Sequence, residues 1–198
     1  PVPCGFAFIL LDGASTNIFH FVDETDRTKL GVGMRVSPRF RAEPRALSHG
    51  EIEEVVAGYA RAAELAAEAG LDGVEISAAH RYLIEQFLDP ELNLRDDEWR
   101  DGARFLGEVV RAVRAAARGL CVGIRLSADS VRAEGVAGLL ADEGVDYLSL
   151  ALGDSSTYLG SVGIVPPPPV PEAAVAPATA GFAVGVPRIA TSRIRDVE

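Results

Sequence analysis

Cysteine is nearly absent: Cys4 and Cys121 are the two in 198 residues, and no histidine stands at metal-ligand spacing from either. That scarcity excludes a disulfide framework and argues against a structural metal or iron–sulfur site. Cys121, inside an apolar run, reads as a small buried hydrophobe. Basic charge is also scarce. Against 29 Asp and Glu stand 19 Lys and Arg, a net charge of −10, so the chain offers no cationic field for nucleic-acid phosphates. Long hydrophobic runs are missing too. No stretch approaches the ~20 apolar residues that span a bilayer, and the N-terminus lacks the basic flank of a signal peptide. A soluble cytoplasmic protein acting on a small molecule, without nucleic acid or membrane as partner, is the expectation.

Apolar residues make up 48% of the chain, enough for a continuous core in a single domain over residues 1–198. The chain opens on Pro1 instead of Met and stops at Glu198 soon after an apolar strand. Both ends suggest a processed chain or a fragment.

Phe6 to Leu11 reads as a buried strand closed by Asp12-Gly13. Residues 22–47 read as irregular loop, and Gly31-Val32-Gly33 within them is too short for a nucleotide fingerprint. Ser48-His49-Gly50-Glu51 is a capping box. Ile52, Val55, Val56, Tyr59, Ala63, Ala66 and Ala67 continue it at helical spacing to a stop at Gly70. The pattern then repeats. A helix through Phe105, Val109, Val110, Val113 and Ala116 stops at Gly119 before the strand Leu120–Leu126; a helix from Val131 to Glu143 stops at Gly144 before Tyr147–Leu152; Arg188–Ala190 is a last strand. Between Gly160 and Gly185 the run Pro166–Pro169, with Pro171 and Pro177, makes a shaped loop with a short Ala-rich helix.

Continuously apolar strands separated by amphipathic helices indicate a parallel sheet shielded on both faces. A doubly wound sheet fits that periodicity, but a barrel is favoured. Polar residues (Ser77, Arg125, Ser127, Ser192) stand at the ends of successive strands, as when many loops share one mouth. The fold class is thus α/β, an incomplete (β/α)8 TIM barrel of roughly five strand–helix units lacking its first and last strands. Its open edges would favour self-association.

Chemistry concentrates after the strand Val74-Glu75-Ile76. Ser77, His80 and Tyr82 fall at its carboxyl end, where α/β folds gather reacting groups. A hydroxyl, an imidazole and a phenol there can polarise a carbonyl and deliver a proton. Arg125, inside an apolar strand, calls for a partner, and Glu75 is the favoured one. Trp99 and Tyr147 read as core aromatics.

From Arg45 to Asp129 the chain resembles the old yellow enzyme family of NADH:flavin oxidoreductases, in its dienoyl-CoA reductase and trimethylamine dehydrogenase branch. The resemblance rests on Val74-Glu75-Ile76, His80, Tyr82-Leu83, Gln86-Phe87-Leu88, Asn93-x-Arg95, Asp97-Glu98-Trp99 and Gly123-Ile124-Arg125-Leu126-Ser127, with Thr191-Ser192-Arg193-Ile194 further on. It implies a barrel holding FMN, reduced by NADH or NADPH and reoxidised by an activated alkene such as an enone or dienoyl thioester. It also implies roles. Tyr82 matches the proton donor, His80 and Ser77 the pair that holds the substrate carbonyl, Arg125 the cation beside the flavin pyrimidine edge, Arg193 a flavin phosphate contact, and Asn17 a position where the family usually has a flavin-binding Gln.

Three departures stand out. Ser77 replaces a usual His, Arg81 replaces a Gly at a corner that favours positive φ, and the usual turn after the aromatic is shortened to Arg100-Asp101-Gly102-Ala103. Against the enzyme reading stands a truncated, flavin-free barrel fragment acting as a structural or interaction module.

Overall fold

Two aromatic-rich segments, β1 (Gly5–Leu10) and β2 (Asn17–Val22), pair antiparallel from Gly5 opposite Val22 to Leu10 opposite Asn17. They form a two-stranded sheet of their own within the first of two compact units, Pro1–Arg45 and Ala46–Glu198. The computed structural model describes residues 5–10, 17–22, 45–130, 133–155, 157–168, 170–182, 185–191 and 193–194. Cys4, residues 23–44 of the loop read over 22–47, and Ser192 lie outside them, as do the side chains of both hairpin strands.

The second unit follows the strand–helix alternation. It runs α1 (His49–Glu68), β3 (Gly73–Ala78), α2 (Leu83–Leu88), α3 (Gly102–Ala116), β4 (Cys121–Ser127), α4 (Ala133–Asp142), β5 (Tyr147–Ala151), α5 (Tyr158–Ile164), α6 (Ala176–Gly181) and β6 (Arg188–Ala190). Its sheet is parallel throughout, ordered β3-β4-β5-β6. Four parallel strands therefore stand where about five units were expected, because β1 hydrogen-bonds to β2 instead. The sheet does not close into a barrel. No helix among the described residues is long and apolar enough to cross a membrane.

Local signals explain the boundaries. Ser48 and Glu51 cap the start of α1 reciprocally, side chain to backbone in both directions. Gly70, Gly119 and Gly144 all take positive φ where helices end. Ala-rich α6 was expected; α5, which Thr157 caps through its side chain, was not, since a seven-residue helix with two glycines carries little periodicity.

Strand alternation separates the faces. Val122, Ile124 and Leu126 of β4 are buried with Ile76, Leu148 and Leu150. Against that side packs α3, whose Phe105, Leu106, Val109, Val110 and Val113 are all buried, while α1 packs on α3 with Ile52 fully enclosed. Each of these side chains contributes about 1.5–3 kcal/mol by leaving water. Phe105 stacks on Phe87 at 4.1 Å and meets the edge of Trp99 at 6.3 Å. Trp99 is buried as expected. The opposite face carries the residues at odd positions, and there Cys121 is exposed, correcting its reading as a buried hydrophobe. It shares the register row of Gly73, at the open start of β4.

Candidate active site

The corner between β3 and α2 is strained and closely tied. His80 and Arg81 both adopt left-handed backbone, φ +60° and +58°, at a cost of about 1–2 kcal/mol each for residues with a Cβ. The positive φ expected where Arg81 replaces a glycine is thus present. Surrounding groups over-determine the turn. The His80 amide donates to Ser127 Oγ at 2.8 Å, and Ser127 donates to Glu85 Oε2 at 3.0 Å. The same Glu85 oxygen accepts the Arg81 amide at 2.7 Å. On the carbonyl side, His80 O accepts the Ser155 amide at 3.0 Å and the Ser155 hydroxyl at 2.7 Å, while Gln86 Nε2 donates to Arg81 O at 2.8 Å. Arg81 also ion-pairs with Asp89 at 2.8 Å.

This corner aims two candidate side chains. His80 is buried, 7% exposed, and its Nδ1 lies 3.0 Å from the Gly153 carbonyl. A carbonyl only accepts, so Nδ1 carries the proton, and the neutral ring presents a bare Nε2. Gly153 is itself required there: with φ +82°, a Cβ would meet Ile164 N at 2.4 Å, so the close approach of α5 depends on its absence. Tyr82 opens α2 without capping it and stands 52% exposed, its ring edge-on to His80 at 6.3 Å.

The other motif residues hold the following loop in place. Asn93 is buried, with its amide nitrogen 2.8 Å from the carbonyls of Phe87 and Trp99 and 3.1 Å from that of Arg100. Arg95 donates from Nε to Asp97 at 2.8 Å, forms a second bond to the same carboxylate, and reaches Leu47 O at 2.6 Å. The Arg95 guanidinium, helped by the Trp99 amide, pulls the Asp97 carboxyl down to about 2.

Across the polar face of the sheet, the register sets residues side by side. Ser77 lies beside Arg125, Arg125 beside Ser149, and Ser149 beside Ile189. One row below, Glu75 lies beside Gly123 and Gly123 beside Tyr147. Glu75 Oε1 is 2.8 Å from Arg125 Nε, the pairing expected from sequence. Nε is nonetheless without a hydrogen bond, since the contact is close but off the N–H direction. Tyr147 is not a core aromatic as read from sequence. It is half-buried, and its hydroxyl is 3.2 Å from Glu75 Oε2. Burial, with Glu75 beside it, raises the phenol above its ordinary range.

Ser77 and Arg125 are therefore neighbours in one row, and His80 and Tyr82 form a pair at the strand end. Ser127 links the two groups, lying two residues beyond Arg125 on the same face of β4 while holding the His80 amide. Arg193 stands elsewhere. Its Nη1 donates to Val170 O at 2.6 Å and Nη2 lies 3.5 Å from Glu172. Asn17 opens β2 in the other compact unit. A cavity of about 290 Å³ beside the corner is lined by Arg81, Glu85, Asp89, Asp129 and Asp154 among others, an acidic lining unsuited to a phosphate.

The row suits a flat heteroaromatic edge rich in acceptors. Ser149 is 1% exposed and its hydroxyl has no partner, whereas buried hydroxyls ordinarily do. The terminal nitrogens of Arg125 bond to no group among the described residues, and Ser77 beside it is exposed. A guanidinium fork flanked by two hydroxyls can meet the carbonyl oxygens and ring nitrogens of a flavin. Sequence reasoning passed over Ser149, since a serine inside an apolar strand carries no motif.

The chain is similar to known proteins over most of its length. The Geobacillus sp. NADPH dehydrogenase is 32% identical over 167 residues, which cover 78% of this chain and 48% of that protein. The NADH-dependent flavin oxidoreductase iliE of Hypocrea jecorina is 35% identical over 167 residues, covering 78% and 41%. Among solved structures, the old yellow enzyme homologue from Zymomonas mobilis superposes with a TM-score of 0.57 at 25% identity, over 78% of this chain and 44% of that one. The chain spans less than half the length of each. The family model described as NADH:flavin oxidoreductase / NADH oxidase matches residues 20–147, a span that holds the strained corner and the Ser77–Arg125 row, and the chain belongs to that family.

Proposed function

We propose that this chain carries the substrate-activating side of an FMN-dependent reductase that takes electrons from NADH or NADPH and reduces an alkene conjugated to a carbonyl. The supporting observation is the row Ser77–Arg125–Ser149, in which the terminal guanidinium nitrogens and the Ser149 hydroxyl have no partner among the described residues, next to the His80–Tyr82 corner. Arg125 and Ser149 would hold the flavin ring. When bound, FMN supplies a hydride to the β-carbon of the alkene.

The remaining work falls to this chain's side chains. Tyr82 Oη, from its exposed position, delivers a proton to the α-carbon. Ser77 Oγ donates to the substrate carbonyl as negative charge gathers there. His80 Nε2 can donate to that oxygen only as the imidazolium, because Nδ1 is committed to Gly153 O. Arg125 would offer its permanent positive charge to the edge of a bound flavin, favouring the ring when it carries negative charge. Arg193 can take up a phosphate only by leaving Val170 O and Glu172.

The test is anaerobic. FMN-loaded chain is mixed with NADH or NADPH and then with a cyclic enone, and the loss of enone is followed. Enone should disappear, and Tyr82→Phe should slow its protonation by about 10²-fold or more. Reduced flavin that persists with the enone untouched, and is reoxidised only once air is admitted, would refute the assignment.

A further inference from the structure

We infer that Tyr147 is a positioning residue for Arg125: by holding one oxygen of Glu75, it keeps the guanidinium fork of Arg125 free for the flavin ring. The inference rests on the flavin reading above and adds to it a residue to which that reading gives no role.

The geometry comes from one register row. Gly123 lies between Glu75 and Tyr147 in one register row. A Cβ on Gly123 would fall 2.0 Å from the Tyr147 ring, so the ring lies across β4 in the space a side chain would fill. Its hydroxyl thereby crosses a whole strand to reach Glu75 Oε2 at 3.2 Å on β3. Glu75 Oε1 is left for Arg125, at 2.8 Å from Nε.

Arginine and a carboxylate prefer a two-pronged pairing, in which both oxygens accept in parallel. Here that pairing is not made. Oε2 is occupied by the phenol, and Nε receives Oε1 too far off axis for a hydrogen bond. The ion pair therefore anchors the root of the guanidinium, and the terminal nitrogens stay available. Without the phenol, Oε2 can turn to Arg125, close the two-pronged pair, and withdraw positive charge from the ligand. Cys121, on the same face, and Arg125 are the other titratable groups acting on the Tyr147 phenol, and the Arg125 cation opposes the rise that burial and Glu75 cause.

A double-mutant cycle reads this directly. The full chain, Tyr147→Phe, Glu75→Gln and the double variant are loaded with FMN; the FMN dissociation constant and the two-electron midpoint potential are measured. Tyr147→Phe should weaken the reduced flavin about tenfold relative to the oxidised form, which is about 30 mV more negative for a two-electron couple. In the Glu75→Gln background the same substitution should change nothing. An equal shift in both backgrounds, or none in either, overturns the inference.

Should Tyr147→Phe fail to fold, Glu75→Gln decides alone. It should raise the potential and lower the pH at which the Tyr147 phenolate absorbs; an unchanged potential overturns the inference. If the unaltered chain binds no FMN, the flavin reading fails and this inference with it. Binding with an unresponsive potential sinks the inference only.

Discussion

The His80 amide donates to Ser127 Oγ at 2.8 Å, tying the end of β3 to the end of β4. The bond is buried, and it holds a residue whose backbone is left-handed at φ +60°. Ser127 passes the bond on to Glu85, which also takes the Arg81 amide. A chain of hydrogen bonds thus maintains a conformation that local sterics oppose.

Removing that hydroxyl should be costly. Ser127→Ala leaves the buried His80 amide without an acceptor, and denaturant unfolding should show a loss of about 1–3 kcal/mol. Ser149→Ala is the control. Its hydroxyl is equally buried but has no partner, so in flavin-free protein the substitution should be neutral or mildly stabilising. Equal losses for the two serines would show that the hydrogen-bond chain does not hold the corner.

Arg81 separates backbone strain from side-chain contact. Arg81→Ala removes the ion pair to Asp89 and keeps the strained φ of +58°, whereas Arg81→Gly removes both. The glycine variant should be the more stable of the two by about 1 kcal/mol, against a part-exposed ion pair worth at most about 1 kcal/mol. A glycine variant less stable than the alanine one would mean that the corner does not populate this conformation.

The architecture was largely legible in the sequence and the site only in part, for different reasons. Helix ends at Gly70, Gly119 and Gly144 are local events, and the periodicity of α3 records a single buried face. The register that sets Arg125 between Ser77 and Ser149 is long-range. Spacing in the chain carries no trace of Ser149 or of Tyr147 reaching across Gly123 to Glu75, because both depend on which strands become neighbours. The pairing of β1 with β2 was missed likewise: an apolar strand looks the same in a parallel sheet and in a hairpin.

The His80 ring offers a test of tautomer. Because Nδ1 donates to Gly153 O, nitrogen NMR should show the proton of the neutral ring on Nδ1. His80→Asn keeps a donor near Nδ1 and should preserve the fold while losing the enone contact that the imidazolium makes through Nε2. A neutral ring protonated on Nε2 would contradict the arrangement.

Asp97 gives a pH dependence with a definite sign. Its carboxyl is lowered to about 2, first by Arg95 and also by the Trp99 amide. A lowered carboxyl stabilises the fold fully above its unfolded value of about 3.9 and loses that contribution as pH falls towards 2. NMR titration should place the Asp97 midpoint near 2, and Asp97→Asn should flatten the stability profile between about pH 4 and 2. A midpoint near 4 would mean that the Arg95 pair does not form in solution.

Titration of FMN into the purified chain, alongside its Arg125→Leu variant, asks most directly whether the polar face of the sheet is a flavin site. Saturable binding is expected, weakened at least about tenfold in the variant, since charge-assisted hydrogen bonds are worth about 1.5–3 kcal/mol. No binding, or the same affinity with and without the guanidinium, would contradict it.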